Sequence, residues 1–277
     1  MDLNTVEAIR PARTRADLAS LDERTAVLAG GSWLFSEPQD HLTGLVDITT
    51  LGWPAVTEHA GGLSLAATCT LAEVAQLSDR LPGAAAPLFR QACTALYGSF
   101  KVWHVATVGG NLCASLPAGP MTSLAAGLDA DVLLWRADGS DTLLPAAAFV
   151  TGDRTNVLEP GDVLRSVEIG AEALASPTAF RKIALAPLGR SGAVLVGRRT
   201  GNGGFVLTVT AATVRPVQLR YPVLPEAGLL DADVAAIGDW FSDPHGAADW
   251  RRAVSRLLAE EIRAELAVPR PGGTGRA

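Results

Sequence analysis

The stretch that decides how this chain is read is VATVGGNL, residues 105–112. An apolar, β-branched run reads as the end of a buried strand, and it stops at Gly109-Gly110 before the side-chain amide of Asn111. The same grammar stands earlier in AVLAGGSWL, residues 26–34, where a short apolar run ends in Gly30-Gly31-Ser32. A glycine pair lets successive backbone N–H groups turn inward without interference from Cβ, forming a nest that accepts anionic oxygen. Ser32 and Thr107 add hydroxyl donors, and Asn111 either fixes its turn or reaches a ligand. Taken singly, each pair reads as a tight turn; together they point to a ligand held between them. Neither stretch is GxGxxG opening a helix or the loop GxxxxGK[ST], so any phosphate site here uses another scaffold.

The chain has 277 residues, which allows two domains. Hydrophobic residues make up 48% and charged residues 19%, enough for a sizeable core and against global disorder. The formal net charge of −6 disfavours nucleic acid as a partner, because neutralising phosphates takes clustered Lys and Arg. No apolar run approaches the roughly 18 residues of a membrane span. The start, MDLNTVEAIRPARTR, lacks the apolar centre of a signal peptide, so a cytoplasmic protein without a membrane span is the expectation. Cys69, Cys93 and Cys113 form no CxxC or Cys/His spacing, and the four histidines are scattered. No metal site is expected from this chain alone, and redox chemistry would need an organic cofactor or a partner subunit.

Along the chain, Thr14 and Asp17 read as a capping box opening a helix, followed by a strand over 26–29. Residues 44–49 and 62–68 read as short strands, and Thr70 with Glu73 opens a helix to about residue 78. A second helix is expected over roughly 84–97, then the strand ending at Gly109, a Pro-flanked loop and a helix over 122–128. Residues 131–145 read as a hairpin with Asp138-Gly139 in a type I′ turn, and 162–169 as an alternating strand. Residues 193–213 read as two strands around the turn RRTGNGG, which is taken as a hairpin rather than a phosphate loop. A helical region follows from about 231, with Trp250, Val254, Leu257, Leu258 and Ile262 near one face. The best cut falls at 170–178, and the tail 269–277 is expected to be disordered.

LAGGSWLF followed by TVGGNLCASLPAG resembles the FAD-binding subunit or domain of the molybdenum hydroxylases, the xanthine and carbon monoxide dehydrogenase family. There the two stretches read close to AGG(T/H)(D/S)LLP and TIGGNLANASPAAD. Further along, LEPGDVL (158–164), AFRK (179–182) and ADWRRAVSRLLAEEI (248–262) resemble that family's later motifs in the same order. The resemblance implies an α+β fold. Residues 1–172 would be a two-part FAD-binding domain of the vanillyl-alcohol-oxidase (PCMH) type, divided near 55, and residues 173–268 a small α+β C-terminal domain.

On that resemblance, Leu28, Ala29, Gly30, Gly31, Ser32, Trp33 and Leu34 wrap the pyrophosphate of a non-covalently held FAD from one side. Thr107, Gly109, Gly110 and Asn111 meet it from the other. Tyr97 falls where the family has an aromatic near the flavin or adenine, Val102 at an apolar contact and Ala114 close to the cofactor. Leu164 and Lys182 fall where the isoalloxazine and ribityl region is lined. The family's subunit passes electrons from an iron–sulfur small subunit to NAD or another acceptor, while a molybdopterin-binding large subunit hydroxylates the substrate. No catalytic side chain of this chain is implied, since the isoalloxazine performs the redox step.

The departures are as specific. Trp33 replaces a small or acidic residue, and Leu116 and Pro120 stand where the family has Ser and an Asp that bonds the ribityl chain. His104 follows Trp103 where Arg-Asn is usual, and no histidine follows either glycine pair to make a covalent flavin link. Trp33 and Pro120 motivate a second reading, an assembly subunit that keeps the fold with weakened FAD binding. A third is a stand-alone flavin oxidoreductase, for which no catalytic candidate is visible. Cys113 reads as a small buried hydrophobe, His104 as a structural residue of an apolar strand, and the Trp250 helix as core or a partner face.

Overall fold

The computed structural model describes residues 3–96 and 98–268. Tyr97 and the 269–277 tail lie outside the described residues. The chain opens with β1 (Ala8–Pro11) and a 3-10 turn over Arg15–Ser20, where an α-helix was expected. Its cap is as read: the Asp17 carboxylate accepts the N–H groups of Arg13 and Thr14, both at 2.8 Å. Next come β2 (Thr25–Leu28) and β3 (Gly44–Asp47). β3 lies between the other two and runs parallel to both. Parallel neighbours require a crossover, and the crossover from β2 to β3, residues 29–43, carries the first glycine pair.

β4 (Val56–His59) and β5 (Gly62–Ala66) lead into α1 (Leu71–Gln76). The capping box there is complete: Glu73 accepts the Thr70 N–H at 2.8 Å, and Thr70 Oγ1 accepts the Glu73 N–H at 3.3 Å. Then follow α2 (Ala86–Ala95), α3 (Phe100–Val105), α4 (Val108–Ala114) and α5 (Pro120–Gly127). Residues 105–112 are therefore the junction of two short helices, not a strand end. The Ser99 hydroxyl caps α3 by accepting the Val102 N–H, and the Thr107 hydroxyl caps α4 by accepting the Gly110 N–H. A short apolar run does not distinguish buried strand from buried helix by its pattern, and here the two caps decide.

β6 (Asp131–Trp135) and β7 (Asp141–Pro145) form the expected hairpin, but not through a type I′ turn. The Gly139 N–H donates to the Arg136 carbonyl at 3.0 Å, and Gly139 (φ +89°) takes the left-handed position while Asp138 does not. The turn is thus a three-residue loop ending in a glycine bulge. After α6 (Ala146–Phe149), a small hairpin is made by β8 (Val150–Gly152) and β9 (Thr155–Asn156). β10 (Val163–Gly170) then takes the centre of an antiparallel sheet ordered β4-β5-β10-β6-β7. Leu63, Leu65, Val132, Leu134, Leu164 and Val167 point from this sheet into one core with Leu88, Phe89, Val108 and Leu112 of the helices.

α7 (Ala171–Ala175) precedes a four-stranded antiparallel sheet of β11 (Thr178–Ile183), β12 (Ala193–Arg199), β13 (Phe205–Thr210) and β14 (Val217–Tyr221). RRTGNGG is its β12–β13 turn, with Gly203 left-handed at φ +87°. α8 (Ala227–Ala235) and α9 (Ala248–Ala267) share a core with this sheet through Leu195, Leu207, Leu230, Leu258 and Ile262. Leu257, expected on the apolar face of α9, is 62% exposed; Arg251, Ser255 and Ala259 line the buried stripe instead. The fold is α+β, as expected. Among the described residues no helix is long and apolar enough to cross a membrane. No group of His, Cys, Asp and Glu there is placed to hold a metal.

Candidate functional site

The first loop leaves the carboxyl end of β2 at Leu28 and passes through Ala29 and Gly30. Gly31 adopts φ +66°, a conformation that costs a residue with Cβ but not glycine. The Phe35 N–H then donates to the Gly31 carbonyl and the Ser36 N–H to that of Trp33, both at 2.9 Å. This closes a compact turn, with the Phe35 ring over the bare Cα of Gly31. The N–H groups of Gly31, Ser32, Trp33 and Leu34 find no acceptor among the described residues. The loop is exposed or half-buried here, and backbone donors open in a row are able to receive an anionic oxygen in place of solvent.

The second loop differs from the nest expected of it. The Val108 N–H donates to Cys69 and that of Gly109 to Ala67, both at 2.8 Å, while Gly110 donates to Thr107 Oγ1 at 3.1 Å. These donors are already used within the protein. Gly109 is required for packing: a Cβ there would lie 2.5 Å from that of Ala67. Asn111 fixes a turn, because its Oδ1 accepts the Met121 N–H at 2.9 Å and so anchors the start of α5. Its Nδ2 has no acceptor among the described residues. Ala114 ends α4.

Tertiary structure brings the two loops together. A Cβ on Gly30 would stand 1.5 Å from the Val105 carbonyl oxygen and 3.3 Å from Thr107 Cγ2. Leu164 is buried in the same core cluster as Val108 and Leu112, and Val102 packs against it from α3. Lys182 lies on β11 and donates through Nζ to the Thr94 carbonyl at the end of α2. Burial lowers the pKa of its ammonium group. Ser191 Oγ donates to the next carbonyl, that of Ala95, at 3.0 Å, so this part of the C-terminal sheet is tied to the segment leading into residue 97.

The rejected candidates have ordinary roles. His104 is exposed on helix α3, not in a strand, with Nδ1 2.8 Å from the Phe100 carbonyl. Burial pushes the Cys113 thiol up to about 12, which makes it inert. Trp250 is half-buried and covers Gly192 and Gly246. Sequence reasoning missed the hairpin tip of β8 and β9. There Arg154, at φ +56°, donates its N–H to the Ser115 carbonyl at 2.9 Å, and its guanidinium stacks 5.0 Å from the centre of the Trp33 ring. TGDRT signals a turn, but nothing in it marks Arg154 for the left-handed region.

The family model described as the FAD binding domain in molybdopterin dehydrogenase matches residues 4–171. The chain belongs to this family, and FAD is the cofactor that the family's domain binds. Its fold is that of solved structures titled CO dehydrogenase from Oligotropha carboxidovorans and quinoline 2-oxidoreductase from Pseudomonas putida 86. The first has TM-score 0.78 at 22% identity, covering 95% of this chain and 99% of that one. The second has TM-score 0.79 at 19% identity, covering 96% and 98%. A xanthine dehydrogenase/oxidase of Gallus gallus is 27% identical over 121 residues, which is 42% of this chain and 9% of the relative. The matched stretch is thus a small part of that relative's length.

Proposed function

We propose that this chain is the FAD-carrying electron-transfer subunit of a molybdopterin-dependent hydroxylase. On this reading it takes electrons from an iron–sulfur subunit and delivers them to NAD or another acceptor. The observation that carries the reading is the row of N–H groups at Gly31–Leu34 with no acceptor among the described residues, held where Gly30 meets Val105 and Thr107. A pyrophosphate needs several fixed donors to offset its desolvation, and the first loop supplies them. The residues present therefore fit FAD, with the weight on the first loop. Bound FAD supplies the two-electron redox chemistry, and the protein supplies position and charge.

Ser32 adds a hydroxyl beside the open N–H groups, and Thr107 and the Asn111 amide, at the start of α4, would meet the same cofactor from the other side. Lys182, tied to Thr94, would hold a positive charge toward the bound isoalloxazine, which would favour uptake of electrons. Leu164 and Val102 exclude water on the apolar side. The units proposed for these roles are 1–172 for FAD and 173–268 for the C-terminal domain, with molybdopterin and iron–sulfur clusters on partner subunits.

The test is to purify the chain alone, denature it and quantify released flavin by chromatography. Near-stoichiometric FAD, lost on Gly30→Ala, supports the reading; no flavin after reconstitution with excess FAD refutes it. One finding favours the second reading, an assembly subunit with weakened FAD binding: the donors of Val108, Gly109 and Gly110 are already used. Colourless protein that still binds its partners would decide for it.

A further inference from the structure

Trp33 departs from the family pattern, and in the structure it is one half of a built contact. The guanidinium of Arg154 lies over its ring, and the same guanidinium grips Glu37 with both terminal nitrogens, at 3.0 and 3.3 Å. A cation held over a ring together with a fork onto carboxylate is what arginine does at once and lysine cannot. Trp33 and Glu37 belong to the turn that bears the open N–H groups. Within that turn, the Phe35 N–H donates to the Gly31 carbonyl and the Ser36 N–H to that of Trp33.

The backbone of Arg154 is held from the other side. Its N–H donates to the carbonyl of Ser115, itself left-handed at φ +48°, at the C-terminal end of α4. Two residues along, Asn156 Nδ2 donates to the Cys113 carbonyl at 3.0 Å and to Ser115 Oγ at 2.9 Å. Two non-glycine residues in the left-handed region, joined by a hydrogen bond, are held there only when their surroundings compensate the strain. The path Trp33/Glu37–Arg154–Ser115 thus joins the first glycine loop to the helix that begins with the second.

We propose that Arg154 is a positioning residue: through Trp33 and Glu37 it locks the first glycine loop onto α4, so that its free N–H groups are already in place when the cofactor arrives. Pre-ordering a loop removes an ordering cost from binding. The inference rests on the FAD reading for its consequence, but not for the geometry of the latch. It also gives Trp33 a function in the site.

The full chain carrying Arg154→Gly removes the latch while glycine accepts the left-handed backbone. In the flavin-free protein, hydrogen exchange at the Phe35 and Ser36 amides then quickens by roughly tenfold, the worth of an exposed stack plus an ion pair. FAD binds roughly tenfold more weakly on the same grounds, with the thermal midpoint of the whole protein unchanged. Trp33→Leu removes the stack but leaves the Glu37 pair, and gives both changes in smaller measure, roughly threefold, which guards against a folding defect in the first variant. Unchanged exchange at Phe35 and Ser36 in both variants overturns the proposal, and so does faster exchange with unaltered FAD affinity. If the wild-type chain binds no FAD, the cofactor reading fails, and the exchange measurement alone upholds or overturns the latch.

Discussion

Gly30 is packed against the backbone carbonyl of Val105: a Cβ on the glycine would stand 1.5 Å from the oxygen and 2.6 Å from the carbon. No side-chain rotation relieves a contact with backbone, so the two glycine loops are neighbours only because residue 30 has no side chain. Gly110 is different, since a Cβ there meets only Thr107 Oγ1, at 3.0 Å.

The first prediction follows from that contrast. Gly30→Ala forces the loops apart, weakens FAD binding by roughly tenfold or more and lowers unfolding stability by about 1–3 kcal/mol. Gly110→Ala changes FAD affinity by no more than about threefold, because one hydroxyl has to shift. Equilibrium titration of both variants with FAD checks this, and equal losses would contradict the geometry.

Acid sensitivity is the second. Burial alone would raise the Asp129 carboxyl, but the hydrogen bond from Arg220 and the charges of Arg198 and Arg220 outweigh it and hold the pKa below its ordinary value. A depressed folded pKa gives stability that is fully present above the unfolded value and lost as pH falls through the folded one. Asp129→Asn leaves the Arg198 guanidinium, 3% exposed, with only the distant Glu172 carboxylate at 3.9 Å, at a cost of about 3 kcal/mol. The difference between variant and wild type in urea unfolding stays constant above about pH 5 and shrinks below about pH 4. A difference still undiminished near pH 3 contradicts the assignment.

The third concerns Arg251, which is 1% exposed and was read from sequence only as part of a helix motif. It donates through Nε to Gly246 at 2.9 Å and through a terminal nitrogen to Gly192 at 2.7 Å. It also reaches the Ala211 carbonyl and pairs with Asp243. Lysine carries the charge but not the fork, so Arg251→Lys destabilises the protein by about 3 kcal/mol or more by chemical denaturation.

The fourth is chemical. Burial pushes the Cys93 and Cys113 thiols each up to about 12, and raises that of Cys69 as well. Thiolate is the reactive form, so at pH 8 the folded chain reacts with iodoacetamide at least about a hundredfold more slowly than the denatured chain. Mass spectrometry of the labelled peptides reads this, with half-buried Cys113 reacting ahead of the fully buried Cys69 and Cys93.

Features that depend on neighbours a few residues apart are legible in the sequence. Glycine pairs, the Thr70–Glu73 capping box and the hairpin around RRTGNGG are local: backbone sterics and hydrogen bonds across three or four residues specify them. The motif order along the chain was equally legible, and with it the family. Whether residues 105–112 end a strand or join two helices was not, because a short apolar run fits either. Nor was it legible which backbone donors stay free. Those of Val108 and Gly109 are taken by Cys69 and Ala67, some forty residues earlier, while those of Gly31–Leu34 meet no acceptor among the described residues. The approach of Gly30 to Val105 and the reach of Arg154 to Trp33 likewise join segments far apart in sequence. Such pairings arise only when sheets and helices pack, since close packing decides which backbone atoms touch and which remain open to a ligand.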